Sequence, residues 1–344
     1  MMKMGLLKRL YNLFMQVIAV VIIVALSYWL FYSHFANELP FDEPLERLKV
    51  LDILKPSALK KGQEQMAQQK VVIVGIARNN ALPLPTVIKY IEHTGDFFAD
   101  YRVIIFENDS TDKSKSILKK WQDRNAKVKV ISQDFGKSAK LTLERFTIAR
   151  NVYIDELKQN PHYQGFDMLL IVDMDMWYGW DMRGLFDSFS QIDKWDVVCA
   201  NGIDNPSGNM YDMFAFRNEE FKEGPENPNY WHKIVPAGKK IYPVGSALIP
   251  VRSCFGGLAF YKRNFIKSCR YTYNNDCEHV LFHDCLREKN HARIFMNPSQ
   301  VIRYSHYKQS FSSFVEEILA ISNNFQLRFN NAILRYLHSL EFWL

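Results

Sequence analysis

The run Met168-Leu169-Leu170-Ile171-Val172, which ends in Asp173-Met174-Asp175, constrains this chain more than any other segment. An unbroken apolar run of this length reads as a buried strand. A strand that delivers two carboxylates to its carboxyl end suits a divalent cation held against a nucleotide diphosphate, because hard cations take oxygen ligands and phosphates supply the remainder. That chemistry points to a transferase using an activated sugar. An Asp-x-Asp triplet is common by itself, so its weight comes from its surroundings.

Those surroundings alternate strand and helix. Val71 to Ile76 is a short β-branched run of the kind buried in a parallel sheet, and Tyr101 to Phe106 and Lys127 to Ile131 read as further strands. Between them lie helix candidates over Thr86–His93 and Lys113–Arg124, and another follows from Leu141 to Gln159. The alternation predicts an α/β fold: a mostly parallel, Rossmann-like sheet sandwiched by helices. Trp195 to Ala200 is one more strand, after which Asn201 to Pro243, rich in Asn, Pro, Gly and Tyr, is too long for an ordinary connection and reads as an acceptor wall.

The amino terminus adds a separate expectation. Residues 13–32 hold twenty residues without a charge, enough at about 1.5 Å per residue to cross a hydrocarbon layer of roughly 30 Å. The stretch is too long for a signal-peptide core and ends in Trp29, Phe31 and Tyr32 instead of small residues, so an uncleaved anchor is expected. Lys3, Lys8 and Arg9 precede it, whereas Glu38, Asp42, Glu43 and Glu46 follow, which leaves the tail, residues 1–12, cytoplasmic. Residues 33–69, with Pro40, Pro44 and Pro56, read as a stem, 70–310 as the globular domain, and 311–344 as packing helices. The location follows as a single-pass membrane protein, facing the Golgi lumen in a eukaryote. In a bacterium it would sit in the inner membrane, where nucleotide sugars are cytoplasmic and the charge bias conflicts.

With 344 residues and 48% hydrophobic content, one main core is expected. The net charge of +6 does not indicate nucleic acid, since Lys113, Lys115, Lys119 and Lys120 are interleaved with Asp109 and Asp112 and no recognition motif accompanies them. The five cysteines, all at or after Cys199, form no C-x-x-C pair. Disulfides stay open, with one thiol left over.

Several constellations carry chemistry. Glu107 to Ser114 follows the second strand, where an acid such as Asp109 can grip a ribose and Ser110 or Thr111 can cap a helix. Gly256 and Gly257, inside an otherwise strand-like segment, allow close approach to a sugar or form a bulge. Asp276-Cys277-Glu278-His279 opens a helix, with Asp276 a cap or a functional acid and Glu278 a base for an acceptor hydroxyl. His279 and His283, four apart, have a spacing that can chelate zinc but no third ligand nearby.

The order of strand, acidic turn, helix with Arg145 and Arg150, and Asp-x-Asp strand resembles GT-A glycosyltransferases over about Val71 to His306. The segments Tyr211–Arg217, Ser253–Tyr261 and Asp276–His279 are similar to the fungal capsule-associated α-1,3-mannosyltransferase-like family. The resemblance implies a GT-A fold, Asp109 at the nucleoside, Arg150 at the diphosphate, Asp173 and Asp175 at the sugar nucleotide and its Mn2+ or Mg2+, and a late histidine, His306, as third metal ligand. It also implies GDP-mannose as donor, with a UDP-hexose as the other option, a glycan or glycolipid acceptor, and a retaining outcome in which Glu278 positions the acceptor. The competing expectations are a metal-dependent phosphoester hydrolase and a non-catalytic, membrane-tethered glycan-binding protein.

Overall fold

The computed structural model describes residues 14–26, 52–135, 142–176, 178–205 and 210–305. One mixed sheet organises them: β1 (Lys70–Ala77), β2 (Asp100–Glu107), β3 (Val128–Ser132), β4 (Met168–Val172), β5 (Val197–Asn205), β6 (Ile249–Pro250), β7 (Leu258–Lys262) and β8 (Ile294–Ser305), in the order β3-β2-β1-β4-β7-β5-β8-β6. β1 pairs in parallel with β2 and β4, β2 with β3, and β5 with β8. β7 runs against both β4 and β5, and β6 against β8. Six strands therefore share one direction, as expected of a mostly parallel sheet, and two oppose it.

The helices are α1 (14–26), α2 (Pro56–Met66), α3 (Leu84–Gly95), α4 (Ser114–Arg124), α5 (Thr142–Gln159), α6 (Met182–Ser190), α7 (Tyr230–Gly238) and α8 (Glu278–Asn290). Burial explains their placement. Alternate residues of β1 divide between two apolar layers: Val72 and Val74 pack with Tyr153, Ile154 and Leu157 of α5, while Val71 and Ile73 pack with Val87 and Ile91 of α3. Both faces of the sheet are thus covered, and the central strands are apolar throughout for that reason.

The stem boundary needs correction. Leu54 and Met66 are buried, and α2 lies so close to α6 that a methyl group on Gly62 would fall 1.7 Å from the Phe186 carbonyl oxygen. Pro56 begins α2, where a missing N–H costs nothing, so it starts a helix instead of marking a linker. The globular body therefore includes residues from about 52 onward. Residues 14–26 are helical with mostly exposed apolar side chains, and no helix among the described residues is long and apolar enough to cross a membrane. The remainder of the expected 13–32 anchor, residues 1–12, 33–51, and the carboxyl-terminal 311–344 lie outside the described residues.

Two disulfides fasten the second half: Cys199 with Cys254, and Cys269 with Cys285. Cys277 remains a buried thiol.

Candidate active site

The chain leaves β1 for β2 and β3 on one side, then returns to the other side of β1 for β4. In open α/β sheets, ligands bind outside the carboxyl ends of strands at such a reversal. Asp173 and Asp175 follow β4 at that place. Their neighbours Met174 and Met176 are buried, Met174 against Gly75 and Met176 against Gly257, where a Cβ would come within 2.7 Å and 2.9 Å of the respective side chains. The alternation leaves the two partly exposed aspartates, with the methionines as the buried partners.

Around Asp173 an acidic group converges. Its carboxyl is held well above the usual range, first by burial and then by the charge of Asp175, with Asp212 and Glu278 adding to the rise and Arg150 opposing it. The Tyr211 hydroxyl donates to Asp173 Oδ2 at 3.3 Å, and the Asp173 N–H donates to the Gly257 carbonyl at 2.9 Å. Tyr211 is itself stacked on Tyr304, with ring centroids 4.1 Å apart. Asp212 has a left-handed backbone, φ +62°, and accepts from the Gly256 N–H at 3.3 Å. Burial, then Glu278, push its carboxyl up to about 7, against the pull of the Gly256 and Ala215 N–H groups and of Arg150.

Arg150, on α5, is the cation within this group. Its Nε donates to Glu278 Oε1 at 2.9 Å, and a terminal nitrogen lies 3.8 Å from Asp173 Oδ1. The guanidinium also sits over the rings of Phe255 and Tyr271, at 5.3 and 5.7 Å. Burial works against its charge, but Tyr153, Glu278, Tyr271 and Asp173 outweigh that and hold it protonated. With a side chain only 6% exposed, Arg150 is a counter-ion beneath the carboxylates. Its acidic partners in this structure are Glu278 and Asp173.

Gly256 and Gly257 also serve the protein first. Both have positive φ, +64° and +88°, and a Cβ on Gly256 would meet the Ala200 carbonyl oxygen at 2.4 Å. The close approach that glycine permits is to the backbone of β5, and the resulting turn offers one N–H to Asp212 and one carbonyl to Asp173. The Cys199–Cys254 disulfide ties this turn to β5.

Asp109 stands at the end of β2 with φ +50°; its Oδ2 accepts from Phe135 N–H at 3.2 Å and Asn108 Nδ2 at 2.9 Å. Two strand spacings separate β2 from β4, about 10 Å at 4.8 Å each, a span that suits a nucleoside at one strand end and its diphosphate at the other. Asp276 is not brought to the acidic group. Its carboxylate pairs with Arg217 at 2.7 Å and its other charged neighbours are Glu226 and Asp284. His283 is locked between Ser253 Oγ and Tyr261 Oη, each 2.9 Å away, and burial lowers its pKa to about 3. His279 is stacked on Phe255 at 4.0 Å between ring centroids, with neither ring nitrogen hydrogen-bonded. The pair is thus built into the core, and a shared zinc ion has no place there. His306 lies outside the described residues.

Among the described residues no three His, Cys, Asp or Glu side chains form a complete metal cage. The donor set still fits a hard cation shared with a diphosphate: two oxygen-donor side chains, Asp173 and Asp175, whose mutual repulsion a cation would relieve. Asp212 and Tyr211 are site residues that motif reading did not assign. The signal available was the segment Tyr211–Arg217 itself, singled out in the sequence without a task of its own.

No protein-family model matches the chain, and no curated protein does. Among solved structures, it is similar to the mannosyltransferase PcManGT from Pyrobaculum calidifontis in complex with GDP-Man and Mn2+, at 12% identity and TM-score 0.44, covering 84% of this chain and 66% of that one. It is also similar to S. aureus TarS 1–349, at 16% identity and TM-score 0.41, covering 69% of this chain and 60% of that one. The same TarS segment in complex with UDP-GlcNAc gives 14% identity and TM-score 0.42, covering 69% and 58%. The chain spans less than two thirds of the length of each, and similarity this low says nothing of substrate.

Proposed function

We propose that this chain is a divalent-cation-dependent glycosyltransferase that moves a hexosyl group from a nucleotide sugar to a hydroxyl of a glycan acceptor. One observation carries the reading: paired carboxylates beyond β4, at the sheet's reversal point, crowded so that Asp173 resists ionisation until a cation joins it. Asp173 and Asp175 would hold that cation, and when bound it supplies charge stabilisation to the departing diphosphate. Tyr211 and the Gly257 carbonyl orient Asp173, and the buried Arg150 fixes Glu278 on the far side of the acidic group.

Asp212 is the residue we assign to the acceptor hydroxyl. A carboxylate pushed up to about 7 is a stronger proton acceptor than an ordinary aspartate and is ionised just above neutrality. Glu278, bonded to Arg150, positions this group. The donor is GDP-mannose in this reading, on the motif resemblance alone. The two disulfides support a domain folded in an oxidising compartment, which agrees with a cytoplasmic basic tail ahead of an anchor and a lumenal catalytic domain.

The experiment is a thermal-shift series of the full chain with GDP, UDP and CMP, each with and without Mn2+, followed by a donor panel. Stabilisation by one nucleoside diphosphate only when Mn2+ is present, and nucleotide release that rises with acceptor, are expected. Phosphate release from simple esters without nucleotide binding would replace this reading with a hydrolase.

A further inference from the structure

A second cleft, of about 520 Å³, opens on the other side of the 274–278 segment, between residues 217–226, Arg252 and the first turns of α8. That volume is within the usual range for small-ligand sites. Its wall carries three basic and four acidic side chains together with Asn274 and Asn275, over an apolar floor of Val280 and Leu281. Opposite charges nearly balance, so neither an anion nor a cation is selected by net field.

The wall is built around Gly224. A Cβ there would come within 2.4 Å of Asp276 Oδ2 and 2.5 Å of Glu226 Oε2, so the two carboxylates converge over one bare backbone position. Asp276 is fixed through its Oδ1, which accepts from Arg217 at 2.7 Å and from the Cys277 N–H at 2.7 Å, while Glu226 Oε1 accepts from the Gly224 N–H at 3.1 Å. Each carboxylate thus has one oxygen anchored and a second on the Gly224 side. Arg217, 1% exposed, is held by the Phe214 and Phe216 carbonyls at 3.0 and 2.8 Å, and its Nε has no hydrogen-bond partner. The guanidinium also lies over the rings of Phe221 and Tyr230, 5.4 Å from each centroid, so Arg217 is fixed as part of the wall.

Preset acceptors beside donors, in a cleft of near-neutral sum, match a ligand whose every polar group is both donor and acceptor. Hydroxyls have that property. We infer that this cleft is a binding subsite for a neutral oligosaccharide, engaging sugar hydroxyls through Glu226, Asp276 and the two asparagines. The inference rests on the transferase reading in one respect, that the saccharide is the distal part of the glycan acceptor: Asp276 lies two residues from Glu278, so one chain segment would bound both sites.

The test is binding of mannotriose, cellotriose and chitotriose to the full chain, by saturation-transfer NMR and calorimetry, for the native protein and for Glu226→Gln and Asn274→Ala. At least one trisaccharide should bind, with Glu226→Gln weakening it about tenfold through loss of a charge-assisted hydrogen bond. Both variants should keep the native melting temperature and the native response to nucleotide with Mn2+. No binding of any trisaccharide, or equal binding by native protein and both variants, overturns the subsite. Loss of the nucleotide response in the native chain would instead count against the transferase reading, while trisaccharide binding sensitive to Glu226→Gln would still establish the cleft.

Discussion

Asp212→Asn separates the cost of the acidic group from its use. The folded chain keeps the Asp212 proton up to about 7, whereas the unfolded chain releases it near 3.8. Between those values folding takes up a proton, so this residue makes stability fall as pH climbs, and the loss levels off above about 7. A rise of about three units at 1.36 kcal/mol each corresponds to roughly 4 kcal/mol. The side chain keeps partial contact with solvent, which brings the expected figure to about 2–3 kcal/mol. Asparagine retains an oxygen for the Gly256 N–H and tolerates the left-handed backbone at 212, so the substitution removes the charge with little else. Thermal melts at pH 8 should then place Asp212→Asn about 5 °C or more above the native protein, and the gap should shrink as the pH is lowered and close only below about 3.8. Transfer should fall about 100-fold or more, as expected for loss of a general base. A variant that melts at or below the native temperature at pH 8, with an unchanged pH slope, would refute the electrostatic account of this site.

Three further outcomes are expected. Asp175→Asn should lower the burden on Asp173 and raise the apo melting temperature modestly, yet abolish the extra stabilisation that Mn2+ gives with a nucleoside diphosphate, read by thermal shift. Arg150→Met should destabilise the fold by about 3–5 kcal/mol, measured by denaturant titration, because Glu278 and Asp173 lose their buried counter-ion. Replacing Cys199 and Cys254 together by serine removes a crosslink with a sequence separation of 55 residues and should cost about 4 kcal/mol on the loop-entropy relation, with transfer lost before unfolding as the Gly256 turn loosens.

The first half of the sheet was readable because its strands are covered on both faces, which writes them as contiguous apolar runs: Val71 to Ile76 and Met168 to Val172 fall inside β1 and β4. The second half hides its pattern. β8 carries Asn297-Pro298-Ser299 inside twelve residues, and its register against β5 jumps from Ala200↔Asn297 to Asn201↔Val301, so no simple period survives. α6 and α7, with Gly184 and Pro236 inside them, are held by packing against the sheet and the excursion, which propensity does not foresee. For the site, Asp173 and Asp175 announce themselves by position. Asp212 does not, since its role depends on a backbone twist and on a glycine turn 44 residues further along the chain.

The reversed strand β7 has a further consequence. It stands between β4 and β5 and starts where β4 ends, so the platform is split into a β3-β2-β1-β4 portion and a β5-β8-β6 portion with a single seam. Loops on either flank can vary while the seam keeps the middle of the site constant. Swapping residues 78–83 and 108–113 should therefore retune which nucleotide is accepted, and swapping 217–226 which glycan, as two independently evolvable modules.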